Sequence, residues 1–132
     1  MVLCSGAFDG LHAGHVRYLG AAVRLAAPGE AVEVAVAPDA YIVSAKRRKP
    51  RWVQADRWRT LAAVSGITPI PQQEPSVAAL IAGRQPRLFV KGIDWVGKIP
   101  PDVREACRAA GTQIVFVDTD GTHTSDAYKD AE

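Results

Sequence analysis

Ten residues near the start of the chain carry most of its chemical promise: Gly6-Ala7-Phe8-Asp9-Gly10-Leu11-His12-Ala13-Gly14-His15. Glycines, an aspartate and two histidines at this spacing suit an anion-binding turn. An apolar run, Met1 to Cys4, leads in, and Val16, Leu19, Ala22, Val23 and Ala26 leave at three- and four-residue spacing. The stretch therefore reads as a strand, a glycine-rich turn and a helix N-terminus. Such a junction offers unpaired backbone N–H groups and the positive end of a helix dipole to an anion. His12 and His15 fall on one face of the first helical turn, so backbone and imidazoles can grip a phosphate together. The spacing is neither that of a dinucleotide G-x-G-x-x-G nor that of a Walker A loop, because no Gly-Lys-Ser/Thr follows.

Three further segments can carry chemistry. Lys46-Arg47-Arg48-Lys49-Pro50-Arg51 is too charged and too proline-bound for a buried element, and reads as a surface loop able to clamp a phosphate. Trp52 and Trp58 flank it and either cover a sugar or base or serve packing. Lys91-Gly92-Ile93-Asp94-Trp95 follows the apolar run Leu88-Phe89-Val90. There Lys91 can meet a phosphate, and Asp94 can accept from a hydroxyl or hold the loop through local backbone bonds. Asp118 to Ser125 follows the last apolar run.

Alternating elements must position these segments. Strand patterns cover 2–5, 32–36, 67–70, 88–90 and 113–117. Helix patterns cover 15–26, 39–45, 56–64, 77–82 and 102–110, with Asp39, Asp56, Ser76 and Asp102 as N-caps. The tail from Asp118 to Glu132 begins as a loop and finishes as a short helix. Alternation of this kind predicts an α/β fold with a mostly parallel sheet and helices on both faces. Ligands then bind beyond the carboxyl ends of the strands, at the switch point of the strand order, where the segments after strands one, four and five meet.

With 132 residues the chain is expected to form one domain, 1–132, around a proper core, and no repeat is visible. A 48% hydrophobic and 23% charged composition is that of a soluble globular domain. The net charge of +2 argues against a nucleic-acid binder. Cys4 and Cys107 lack metal-ligand spacing and read as buried thiols in a reducing cytoplasm. No signal peptide or apolar run of membrane length is present, so no membrane partner is expected. Met1 stands almost at the first strand, so no leading domain is expected.

The first segment resembles the G-x-F-D-x-x-H-x-G-H motif of the cytidylyltransferase-like nucleotidyltransferases, with matches at Gly6, Phe8, Asp9, His12, Gly14 and His15. His12-Ala13-Gly14-His15-Val16 with Tyr18-Leu19, Leu80-Ile81-Ala82-Gly83 with Pro86, and Val90-Lys91-Gly92-Ile93-Asp94 are similar to the D-glycero-D-manno-heptose 1-phosphate adenylyltransferases. Asp94-Trp95-Val96-Gly97-Lys98 is more like the glycerol-3-phosphate cytidylyltransferases. The resemblance implies a Rossmann-like doubly wound parallel sheet of about five strands in the order 3-2-1-4-5. It implies transfer of a nucleotidyl group from a nucleoside triphosphate to a sugar or polyol phosphate, with release of pyrophosphate. It also implies Mg2+ bound mainly through the triphosphate, no metal held by the protein's own residues, and a homodimer.

Carried over by position, His12 and His15 are catalytic donors to phosphate oxygens, and Asp9 orders the site. Gly6, Ala7, Phe8, Gly14, Lys91 and Asp94 meet the nucleotide. A lysine of the family's basic loop reaches the phosphates. Alignment forwards from the second strand favours Lys46 for this role, and counting back from Arg59 favours Arg48. Lys49 also competes, and Arg59 matches an arginine of the following helix. The family's last motif, approximately G-[IC]-S-[ST]-T, falls on Gly121-Thr122-His123-Thr124-Ser125.

That last segment departs from the pattern. His123 stands where a serine is expected, either as a plain loop residue, as a phosphate donor, or with Asp126 near a metal. Asp118 stands where the cytidylyltransferases have an arginine, and an aspartate there is expected to repel a triphosphate. The heptose group lacks that arginine, which favours ATP and a heptose 1-phosphate-like acceptor. The alternatives are CTP with glycerol 3-phosphate or a related small phosphate or phosphonate, and a nucleotide-binding regulatory module without turnover.

Overall fold

Valine-rich runs buried on both faces build the sheet, as a parallel sheet covered by helices requires. In the computed structural model, which describes residues 1–121 and the backbone of 127–129, five strands run parallel. These are β1 (Val2–Gly6), β2 (Val32–Val36), β3 (Thr68–Pro71), β4 (Leu88–Gly92) and β5 (Gln113–Val117). Their order is 3-2-1-4-5, the Rossmann-like arrangement. Pro69 and Pro71 fall in β3, at an edge where a missing N–H costs no ladder bond.

Helices cover both faces. α1 (Ala13–Leu25) and α3 (Gln54–Ala62) bring Tyr18, Leu19, Ala22 and Leu61 against Cys4, Val34, Val36, Val90 and Val115. On the other face, α4 (Ala78–Arg84) and α5 (Pro101–Ala110) set Ile81, Val103 and Cys107 against Leu3, Ala35, Phe89 and Phe116. Between β2 and α3, the short α2 (Asp39–Lys46) carries the chain out to the basic segment.

Two details differ from the sequence expectations. The tail does not finish as a helix: Ala127–Lys129 forms a sixth strand, β6, antiparallel to β5 with Val117 opposite Ala127 and Val115 opposite Lys129. It covers what would otherwise be an open sheet edge. Asp39, Asp56 and Asp102 lie inside their helices, whose N-cap positions are Pro38, Val53 and Pro100. Their carboxylates are spent instead on Arg57, Arg59 and the hydroxyl of Ser76, respectively.

At the switch point the sheet splits. Pairing of β1 with β4 stops at Cys4 and Val90, whereas pairing with β2 continues to Gly6 and Val36. Two side chains fill the split. The Tyr18 hydroxyl accepts from the Ser5 N–H at 3.1 Å and donates to the Val90 carbonyl. The Lys91 ammonium donates to the Ser5 carbonyl at 3.1 Å and to its hydroxyl at 3.3 Å. Backbone groups that the diverging strands abandon are thereby satisfied, as buried polar groups must be.

Candidate functional site

The turn after β1 is bent by Phe8, which takes a left-handed φ of 51° at a cost of about 1–2 kcal/mol for a residue with a side chain. Packing offsets this. The buried Phe8 ring lies 5.3 Å from the His15 ring and 6.4 Å from that of Tyr18, centroid to centroid. It also folds back over Gly6, where a Cβ would sit 2.9 Å from the Phe8 ring edge. Gly6 is therefore a packing requirement of Phe8.

α1 then begins with a capping box made of histidines. The Gly14 N–H donates to His12 Nδ1 at 3.0 Å, and the His12 N–H donates to His15 Nδ1 at 3.3 Å. With both Nδ1 atoms accepting, each neutral ring carries its proton on Nε2. The two rings stand 3.9 Å apart. Burial first, then the positive charge of His12 and Lys46, pushes His15 down to about 4. His15 is therefore a neutral Nε2–H donor at neutral pH.

The basic segment is held by Asp9. Its carboxylate pairs with Arg48 at 2.7 Å and accepts the backbone N–H groups of Arg51 and Trp52 at 2.8 and 2.9 Å. Burial alone would raise this carboxyl, but the Arg48 pair and the two N–H bonds outweigh it and hold Asp9 at about 2. From behind, Arg57 ties the same region together. It is 1% exposed and donates to the carbonyls of Ala7, Ala37 and Trp52 at 2.7, 2.8 and 2.9 Å, and to the Asp39 carboxylate at 2.6 Å. The first turn, the end of β2, the start of α2 and the basic segment thus share one guanidinium.

On the far side, β4 delivers Lys91, Gly92 and Asp94 to the rim. Lys91 is not aimed at a phosphate as expected. Its side chain turns inward to Ser5, with the ammonium 4.4 Å from the centre of the Trp95 ring. Desolvation lowers its pKa to about 8, against the opposing pull of Cys4 and Asp94. A Cβ on Gly92 would meet the Asp94 carboxylate at 2.6 Å and Thr119 at 2.9 Å. Any larger residue here would force the Asp94 and Thr119 side chains to move.

These elements enclose a cleft of about 1190 Å³, larger than the roughly 300–1,000 Å³ of a typical single-ligand pocket. Gly6, Ala7, Phe8, Asp9, His12, Gly14, His15, Lys46, Arg48, Lys91 and Asp94 all line it. Lys49 and Arg59 do not. Lys49 is exposed and its carbonyl accepts from Arg48, while Arg59 points outward from α3 and pairs with Asp56 at 3.1 Å. The arginine of this helix that supports the site, from behind the cleft, is Arg57, which shares the inward face with Leu61 four residues on. That i, i+4 pairing was the available signal, and the charge concealed it. Trp58 is a packing residue, donating to the Pro69 carbonyl at 2.9 Å, whereas Trp52 stays exposed.

After β5, Asp118 does not line the cleft. Its carboxylate accepts the N–H groups of Asp120 and Gly121 at 3.1 and 3.0 Å and shapes its own turn. Gly121 closes that turn at a φ of 78°. Thr122, His123, Thr124, Ser125 and Asp126 lie outside the described residues.

No family model matches the chain. It is similar to the bifunctional protein HldE of Chromohalobacter salexigens, 37% identical over 130 residues, which are 95% of this chain and 26% of that protein. It is also similar to the bifunctional protein HldE of Edwardsiella ictaluri, 36% identical over 127 residues, with the same 95% and 26%. The chain therefore spans about a quarter of the length of the curated relatives it matches. The resemblance read from the motif is matched by relatives whose similarity runs along nearly the whole chain. Among solved structures, the lipopolysaccharide core biosynthesis protein from Thermoplasma volcanium GSS1 superposes with a TM-score of 0.69 at 21% identity, over 84% of this chain and 88% of the other. A protein with unknown function from Archaeoglobus fulgidus gives 0.64 at 18%, over 94% and 93%. At these identities the likeness establishes the Rossmann-like fold.

Proposed function

We propose that the chain is a nucleotidyltransferase domain that moves a nucleoside monophosphate from a nucleoside triphosphate, ATP first, to a heptose 1-phosphate-like sugar phosphate, releasing pyrophosphate. The observation that carries this reading is the histidine capping box. Two imidazoles, oriented through Nδ1, carry Nε2–H donors at the rim of one cleft. The similarity to HldE over 95% of the chain supports it.

The acceptor's phosphate oxygen is already an anion, so attack on the α-phosphorus needs no general base. The chain's task is to align two anions and to meet the charge that develops between them. His12 and His15 donate to the phosphoryl oxygens, and Lys46, at the end of α2, supplies positive charge beside them. Asp9 and Arg57 act on the site as positioning residues, through the loops that they hold. Asp94 is placed to accept from a ribose hydroxyl. Magnesium suits this site as a companion of the triphosphate. No group of three or more His, Cys, Asp or Glu residues is gathered among the described residues to hold an ion, and Asp94 and Asp120 are single carboxylates on the lining. The ion would neutralise triphosphate charge.

Pyrophosphate release from four nucleoside triphosphates with magnesium, each against a panel of sugar and polyol phosphates, tests the proposal. Turnover is expected with ATP and a sugar 1-phosphate, and turnover with CTP and glycerol 3-phosphate would move the assignment to the cytidylyltransferases. Nucleotide binding without pyrophosphate release from any pair would defeat the enzyme reading in favour of a regulatory module. We place the protein in the cytoplasm, the setting its two buried free thiols favour, and as a homodimer, as the resemblance implies, and sedimentation of the purified chain checks the dimer. Among the described residues no helix is long and apolar enough to cross a membrane.

A further inference from the structure

Arg17 lines the cleft, yet the reading above leaves it without a task. It follows His15 by two residues on α1. Helical side chains lean towards the N-terminus of their helix, and here the guanidinium comes back towards the turn after β5. Its Nη1 donates to the Thr119 carbonyl at 3.5 Å, the long limit of a hydrogen bond. Its Cζ and Nε lie 3.6 Å from where a Cβ on Gly121 would stand. Gly14 lets this wall close, since a Cβ there would sit 3.3 Å from the same Thr119 carbonyl. A guanidinium has five N–H donors, and the one hydrogen bond it makes among the described residues, the weak one to Thr119, leaves donors for a ligand.

The cleft has two ends. Tyr41, which follows β2, and Gln72, which follows β3, line one end with Lys46, Arg48 and Arg51. Arg17, Thr119 and Asp120 line the other, above β5. In-line displacement puts the attacking and leaving oxygens on opposite sides of the phosphorus. An acceptor phosphate held by the basic segment therefore sends the leaving group towards β5, past the histidines. We infer that Arg17 binds the leaving pyrophosphate. The inference rests on the nucleotidyltransferase reading for its direction of transfer. As the acceptor oxygen donates a lone pair to the α-phosphorus, the bond from that phosphorus to the bridging oxygen breaks. The electron pair departs on pyrophosphate, and Arg17 faces the negative charge gained there. Asp120 lines the same end, so the anion seats on the α1 side of the turn.

Calorimetric titration of the full chain with magnesium pyrophosphate tests this directly, alongside Arg17→Ala and Arg17→Lys. Arg17→Ala is expected to weaken pyrophosphate binding about 10- to 100-fold, the value of a hydrogen bond to a charged group. Arg17→Lys should retain part of the affinity, and binding of a sugar phosphate should be unchanged in both variants. Arg17 is exposed, so the unfolding midpoint should not move. Equal pyrophosphate affinity in the wild type and Arg17→Ala, no measurable binding by the wild type, or a loss confined to the sugar phosphate would each overturn the inference. The titration needs no turnover. A chain that binds pyrophosphate through Arg17 but releases none from any substrate pair would refute the proposed function and leave Arg17 as a pyrophosphate-binding residue, without a role in transfer.

Discussion

The histidine pair and the basic segment supply donors to the same cleft, but they are held in opposite ways. His12 and His15 are oriented by N–H groups within their own turn, Gly14 to His12 and His12 to His15. The basic segment is placed by partners distant in sequence: Arg48, Arg51 and Trp52 are 39, 42 and 43 residues from Asp9, and Arg57 reaches back 50 residues to Ala7. Formation of the first turn of α1 therefore orients the histidines. The position of the basic segment is a tertiary property, and it is exposed to substitutions far from the chemistry.

The largest effect should come from cutting the long-range support. Arg57→Met would strand three backbone carbonyls in a buried site and leave Asp39 without its partner. A loss of about 3–5 kcal/mol in unfolding free energy by denaturant titration is expected. A variant within 1 kcal/mol of wild type would show that the segment does not depend on Arg57. His15→Ala should separate chemistry from stability. Turnover should fall about 10²–10³-fold for the loss of one oriented donor, while the unfolding free energy should fall by only about 1 kcal/mol for the opened capping box, and an active variant would remove His15 from its assigned role.

Asp9→Asn should act through the segment that it anchors. It weakens bonds worth about 1.5–3 kcal/mol each when the acceptor is charged, so KM for the sugar phosphate should rise while kcat stays close to wild type. Arg59→Ala, which alters only an exposed pair with Asp56, should change neither value, and a comparable KM effect there would erase the distinction between the two arginines of α3.

Acid titration should resolve the two regions by pH. His15 falls from 6.5 to about 4 on folding, so the unfolded chain binds the extra proton. Its contribution to stability is complete above pH 6.5 and is lost as the pH falls towards 4. Asp9 falls from 3.8 to about 2, so its contribution is complete above pH 3.8 and is lost towards 2. His15→Ala should flatten only the upper window and Asp9→Asn only the lower one. A single shared slope would contradict the separation.

What could be read from the sequence follows the same division. Strand and helix alternation, the strand order and the cluster from Gly6 to His15 depend on local patterns and on a motif confined to ten residues, and they reappear in the fold. Arg57 does not stand out in the sequence, because charge normally marks a solvated face, whereas its burial depends on carbonyls gathered from three separate segments. Lys91 is expected to meet a phosphate because spacing cannot register the split between β1 and β4 that draws its ammonium inward. Asp118 looked repulsive because its charge was visible while its turn was not. β6 was read as a helix because three residues carry no period, and the reason for a strand there is the edge of β5.

The split beside Ser5 carries one more consequence. Its amide hydrogen is secured by a phenol borne on a helix, with no strand partner on that side. Solvent exchange at this amide is therefore gated by the departure of α1 from the sheet, the same helix that carries His12, His15 and Arg17. Measured residue by residue, deuterium uptake at Ser5 becomes a clock for the seating of the whole donor array. A ligand that pins α1 down would slow it without touching Ser5 at all.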